Sequence, residues 1–123
     1  KAIDEFLSLA YHREKRLPVV IVRCFNTVGP RQTGQYGMVV PTFVKNALLN
    51  HPLTIYGDGK QSRCFTYVDD VVDGFIKLMG EKKAVGNIFN IGTSEEITIE
   101  ELAKRVKAKT RSKSKLDYIK YED

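Results

Sequence analysis

No apolar run in the 123-residue sequence approaches the ~20 residues that a membrane-spanning helix needs. No secretory leader is legible either, because the chain opens Lys1-Ala2-Ile3-Asp4-Glu5, which reads as the inside of a helix. There is no Gly-x-Gly-x-x-Gly, so these residues do not encode the strand-turn-helix that cradles a pyrophosphate. No Ser/His/Asp arrangement and no metal cluster is present. His12, in a basic helix end, and His51, in a helix-to-strand loop, read as surface residues with no catalytic role. Cys24 and Cys64 do not form a metal or redox spacing; both sit in apolar strand-like runs and read as buried free thiols rather than a disulfide. An initiating Met and a helix cap are also missing: the helical pattern is already running at residue 2, and Tyr118 to Asp123 looks like a strand and its exit. The expectation is a piece that begins inside a longer protein. No internal repeat is found.

What is present is ordinary globular composition, 42% hydrophobic and 28% charged, enough for one modest domain. The formal net charge of +5 admits an anionic ligand such as a diphosphate, or a nucleic-acid face. Much of the excess lies in one tract, Lys104 to Lys115, with no interleaved aromatic residues. Such a tract reads as a solvated helix end and loop, and no nucleic-acid partner is expected.

The spacing of Ala2, Ile3, Phe6, Leu7 and Ala10 predicts one apolar face on a helix over about Ala2 to Lys15, ended by Pro18. Its early acids and late bases suit the helix dipole. Pro18 to Phe25 carries the run Val19-Val20-Ile21-Val22, which fits a strand buried on both faces of a parallel sheet. Helix followed by buried strand is the rhythm of a doubly wound α/β fold. The Gly-, Thr- and Gln-rich segment from Asn26 to Gly37 follows the C-terminal end of that strand, where ligands bind in open α/β sheets. A second amphipathic helix covers Val39 to Leu49, with Pro41 in its first turn. Leu53 to Tyr56 reads as a strand, Gly57 to Lys60 as a turn and Gln61 to Tyr67 as a strand-like segment. Asp69 or Asp70 is expected to cap a helix carrying Val71, Val72, Phe75, Ile76 and Met79. Asn87 to Ile91 is a further strand. Thr98 and Glu101 form a capping box ahead of Ile99, Leu102, Ala103 and Val106, and Lys115 to Tyr121 reads as the last strand.

Taken in order, Lys1 with KAIDEF, then VRCFNTVGPRQ, YGDGKQSRCFTYVDDV and NIFNIG, resembles the extended short-chain dehydrogenase/reductase family of nucleotide-sugar enzymes. That family includes UDP-glucose 4-epimerases, dTDP-glucose 4,6-dehydratases and UDP-glucuronate decarboxylases. The resemblance runs from Lys1 to about Tyr121. It implies an α/β fragment: the C-terminal part of a Rossmann-like doubly wound fold plus the small α/β substrate-binding domain. Residues 1–37 then form the last helix-strand unit and active-site loop, and residues 38–123 mostly the substrate region, with segments returning to the sheet.

The resemblance also implies a cytoplasmic, NAD-dependent parent enzyme, homodimeric, with a UDP- or dTDP-sugar as substrate and no metal. It would act by transient oxidation at sugar C4, with a UDP-glucose 4-epimerase first in order. A 4,6-dehydratase or UDP-glucuronate decarboxylase follows, and a non-catalytic sugar-nucleotide or RNA-binding member is the alternative of another class. Lys1 matches the lysine of a Tyr-x-x-x-Lys pair, whose ammonium hydrogen-bonds the nicotinamide ribose and favours the phenolate form of the tyrosine. The alternative is a frayed surface lysine. Phe25 is placed near the nicotinamide. Asn26 is placed on the sugar nucleotide, against the alternative of a plain turn residue. Arg31 is a further substrate candidate, or a loop salt bridge. Met38 and Val39 begin the helix that closes over the nucleotide. Thr54 and Tyr56 line the base pocket, where Tyr56 stacks on the base or is a core aromatic. Arg63 grips the diphosphate with its guanidinium fork, or is a cross-strand surface arginine.

Overall fold

The computed structural model describes residues 1–120; Tyr121, where the sequence places the end of the last strand, lies outside the described residues. In chain order the elements are α1 (Ala2–Lys15), β1 (Ile21–Cys24), β2 (Thr27–Val28), α2 (Val39–Leu48), β3 (Leu53–Tyr56), β4 (Ser62–Cys64) and β5 (Thr66–Tyr67). There follow α3 (Val68–Gly80), β6 (Ile88–Ile91), β7 (Glu96–Thr98), α4 (Ile99–Thr110) and β8 (Leu116–Ile119). The chain is α/β, and it divides into two compact units: Lys1–Thr27 with Phe65–Thr93, and Val28–Cys64 with the chain from Ser94 on. No helix among the described residues is long and apolar enough to cross a membrane.

In the first unit, β1 and β6 run parallel, with Ile21 opposite Ile88 and Cys24 opposite Ile91. Helix α1 ends where Arg16 turns left-handed at φ 56°, two residues ahead of Pro18. His12 is half-buried and donates its Nδ1–H to the Leu17 carbonyl at 2.7 Å. It lies against Gly86, whose φ is +79° and where an added Cβ would fall 2.5 Å from His12 Nε2. His12 is therefore a packed joint between the end of α1 and the approach to β6.

Several readings from the sequence are revised by the structure. The face of α1 that is half-buried is Glu5, Ser8, Leu9 and His12, while Ile3 and Phe6 are 79% and 75% exposed. The apolar stripe therefore points away from the unit. The strand is shorter than Pro18 to Phe25 and only half-buried at Val19 to Val22, because among the described residues its one hydrogen-bonded neighbour in the sheet is β6. Cys24 is exposed and Cys64 half-buried, so the thiols are free but not buried. In α3, Asp69 and Asp70 lie in the first turn, and the N-cap is Tyr67 without a side-chain cap bond. Their contribution is charge at the positive helix end.

In the second unit, α2 packs on α4 and on β3. Phe43 and Ala47 of α2, Leu53 and Ile55 of β3, and Ile99, Leu102 and Ala103 of α4 are all buried. Strand β3 runs parallel to β8, with Leu53 opposite Leu116 and Tyr56 opposite Ile119. The sequence reads one segment from Gln61 to Tyr67; it is broken at Phe65 into β4 and β5, and β4 pairs antiparallel with β7. The Thr98 hydroxyl accepts the Glu101 N–H at 3.1 Å, which is half of the capping box. The Glu101 carboxylate goes to Arg105 at 2.6 Å instead. Across the unit, Asn50 Oδ1 accepts the Lys113 N–H at 2.9 Å and the Ser112 hydroxyl at 3.2 Å, which ties the basic tract down.

Candidate functional site

The first unit gathers Lys1, Phe25 and Asn26 at one end of its sheet. The Phe25 N–H donates to the Ile91 carbonyl at 3.0 Å, continuing the β1–β6 ladder by one bond. The Phe25 ring is partly exposed and lies beside Gly92, where an added Cβ would come within 3.3 Å of Phe25 Cβ. Asn26 takes φ +40°, a conformation asparagine tolerates better than most residues, and its carbonyl accepts the Thr66 N–H at 3.2 Å. Lys1 is the N-cap residue of α1 and is fully exposed. Three hydrogen bonds place its turn at this strand end: Glu5 N–H donates to the Lys1 carbonyl at 3.2 Å, and the Glu5 carboxylate accepts two from Arg23. These residues share the C-terminal edge of two parallel strands, the edge that open α/β sheets use for ligands.

Two features of that edge were not singled out from sequence. Thr66 is only 5% exposed, and its Oγ1 has no hydrogen-bond partner among the described residues. An unmet buried hydroxyl of this kind costs about 1–3 kcal/mol, so it is a ready donor or acceptor for a ligand group. The Glu5–Arg23 pair joins residues 18 apart, a separation that no local pattern signals.

The second unit carries the remaining candidates on several elements. Met38 is the N-cap of α2 and supplies no side-chain cap. Its sulfur accepts from Gln32 Nε2 at 3.3 Å, and Val39 opens the helix half-buried. Thr54 is half-buried in β3 opposite Asp117. Tyr56 is 54% exposed, which removes the core-aromatic reading. Arg63, on β4 opposite Ile97, is exposed and donates one Nη1–H to the Ser62 carbonyl at 2.8 Å. It has no acidic partner among the described residues. Arg31 is exposed with φ +65°, and forms no salt bridge among the described residues. With Gln32, Val44 and Lys45 it lines a cleft of about 520 Å³ against α2. Thr54, Tyr56 and Arg63 do not line that cleft.

Residues 1–92 match the NAD dependent epimerase/dehydratase family. The chain belongs to that family. Among family members, it is 46% identical over 123 residues to a UDP-N-acetyl-alpha-D-glucosaminuronate decarboxylase of Bacillus cytotoxicus, covering 99% of this chain and 38% of that protein. It is 45% identical over 118 residues to UDP-glucuronic acid decarboxylase 4 of Arabidopsis thaliana, covering 96% of this chain and 26% of that protein. Its fold superposes on UDP-glucuronic acid 4-epimerase from Bacillus cereus, solved in complex with UDP-glucuronic acid and NAD, at a TM-score of 0.85 and 34% identity. That match covers 94% of this chain and 37% of the epimerase. The Rossmann-like α/β class expected from sequence therefore holds. The chain spans well under half the length of each of these epimerase/dehydratase relatives.

Proposed function

We propose that this chain is the nucleotide-sugar-binding, C-terminal part of an NAD-dependent enzyme that decarboxylates a UDP-hexuronate. The observation that carries the reading is the 46% identity, over 99% of the chain, to a UDP-N-acetyl-alpha-D-glucosaminuronate decarboxylase. The similarity to an Arabidopsis UDP-glucuronic acid decarboxylase supports it. The UDP-glucose 4-epimerase placed first from sequence falls behind this reading. A 4-epimerase acting on UDP-glucuronic acid stands second, supported by the Bacillus cereus neighbour. Either way the sugar bears a carboxylate β to C4, and a carbonyl at C4 allows CO2 to leave.

NAD, when bound, supplies the hydride acceptor and donor. The chain's residues fit its nicotinamide end: Lys1 offers an ammonium for ribose hydroxyls, and Phe25 offers a half-open ring at the strand edge. Lys1 also favours the phenolate form of the partner tyrosine by charge. Asn26 hydrogen-bonds the sugar nucleotide. The α2 start at Met38 and Val39 presents backbone N–H groups to it, and Thr54 and Tyr56 receive the base. Arg63 takes the diphosphate with its fork, and Arg31 adds a second cation. Residues 1–37 supply the last helix-strand unit of the Rossmann-like half, and residues 38–123 mostly the substrate part. A homodimer belongs to the reading, and the exposed stripe Ile3, Phe6, Leu7 and Tyr11 on α1 supports such an interface.

The test is to incubate the full-length protein with UDP-glucuronic acid and with UDP-N-acetylglucosaminuronic acid, and to resolve products by mass spectrometry. Loss of CO2 is expected. A product of unchanged mass and inverted C4 puts the 4-epimerase first, and loss of water a dehydratase. UDP-sugar binding with no turnover supports the non-catalytic alternative.

A further inference from the structure

We propose that Glu5 and Arg23 form a positioning clamp that fixes the helix turn carrying Lys1 against the strand end carrying Phe25 and Asn26. The inference rests on the role assigned to Lys1 above. Arg23 donates Nε–H to Glu5 Oε1 at 2.8 Å and Nη2–H to Glu5 Oε2 at 2.5 Å, the two parallel bonds of a fork on a carboxylate. Fork geometry fixes orientation as well as distance, which a lysine ammonium cannot do.

The clamp sits in a short rigid path. Lys1 is tied to Glu5 by a helical backbone bond, and Glu5 to Arg23 by the fork. Arg23 stands opposite Asn90 in the parallel ladder, and that ladder continues to Phe25 through its bond to Ile91. The other side-chain hydrogen bond near the start of α1 stays within the helix: the Ser8 hydroxyl donates to the Asp4 carbonyl. His12 ties the far end, three turns away. Among the described residues, the Arg23 fork is thus the side-chain hydrogen bond that joins the first two turns of α1 to the rest of the unit.

Exposure says what the pair is for. Glu5 and Arg23 side chains are 23% and 49% exposed, and pairs so open to water add little to stability. Breaking the pair should therefore leave the fold standing and move the Lys1 turn. An ammonium that drifts from the tyrosine no longer favours its phenolate, so the reacting base titrates higher.

The experiment compares full-length wild type with Glu5→Gln, Arg23→Lys and the charge swap Glu5→Arg/Arg23→Glu. Each variant is expected to keep the wild-type circular dichroism. For the two single variants kcat should fall roughly 10- to 100-fold, with KM for the UDP-hexuronate within about 3-fold. The acid limb of the kcat profile should move to higher pH, and the swap should recover part of both effects. Independently of turnover, the amide resonances of residues 2–5 and 25–26 should shift together in the single variants, while those of α3 stay put. If the wild type turns over no UDP-sugar, the functional reading fails, and the resonances alone decide the clamp. Wild-type kcat, acid limb and resonances in both single variants would overturn the clamp and leave the function intact. Unfolding of both single variants would also overturn it, by making the pair structural.

Discussion

Arg63 is singled out in the sequence by its place in QSRCFTYVDD, and its guanidinium is exposed with one backbone bond made. Arg63→Ala should cost roughly 1.5–3 kcal/mol of UDP binding, the usual scale for a charge-assisted hydrogen bond. Calorimetric titration of UDP into full-length wild type and variant measures it, and equal affinities would return Arg63 to the surface. Glu5 shows the opposite kind of residue, invisible in sequence because its partner lies 18 positions away. The hydrogen bonds from Arg23 hold the Glu5 carboxyl below its ordinary 4.5. A carboxylate depressed in the folded state adds stability above the unfolded-state value and loses it as pH falls through the folded-state value. For so exposed a pair any excess of wild type over Glu5→Gln in urea-unfolding midpoint near neutral pH should be small, and it should vanish in acid. A gap that instead grows from about pH 7 to about pH 3 would deny the pairing. Glu100, lowered chiefly by its hydrogen bond from Lys104, follows the same sign.

At the scale of elements, periodicity located the four α-helices of the described residues, but it did not say which face of α1 meets its own unit. The rule that apolar residues face inward holds when every neighbour is present. Here Glu5, Ser8, Leu9 and His12 pack on the unit, and the stripe Ile3, Phe6, Leu7, Tyr11 is left open. The isolated chain should therefore self-associate, and Phe6→Glu should reduce that association in sedimentation velocity. A wild-type chain that stays monomeric at all concentrations would contradict this. Strand β1 teaches the same lesson, since its β-branched run marks a sheet centre while β6 is its one sheet neighbour among the described residues. Caps were legible in part: Thr98 caps α4 as its spacing implied, but at α3 the acids fall inside the first turn. Thr98→Ala should cost about 1 kcal/mol of stability by urea unfolding. No change would mean that the hydrogen bond to Glu101 contributes nothing.

For the whole molecule, the α/β class and the candidate residues at the β1 edge were legible because motif order survives in one sequence. Each of the two compact units is built from two separated stretches of chain. The order of possible outcomes was not legible. No residue named here distinguishes decarboxylation from epimerisation, and the similarity to decarboxylases sets the order. With no glycine-rich turn in its sequence, the isolated chain should show no turnover and hold no dinucleotide. Absorbance of the purified chain and a UDP-sugar assay check this, and turnover above background would refute it. The most direct test of the nucleotide-sugar assignment is hydrogen exchange of the full-length protein with and without a UDP-hexuronate. Exchange should slow on binding in segments holding Phe25 and Asn26, Met38 and Val39, Thr54 to Tyr56, and Arg63, and stay unchanged in Lys104 to Lys115. Protection confined to the basic tract, or absent from all four segments, would contradict the assignment.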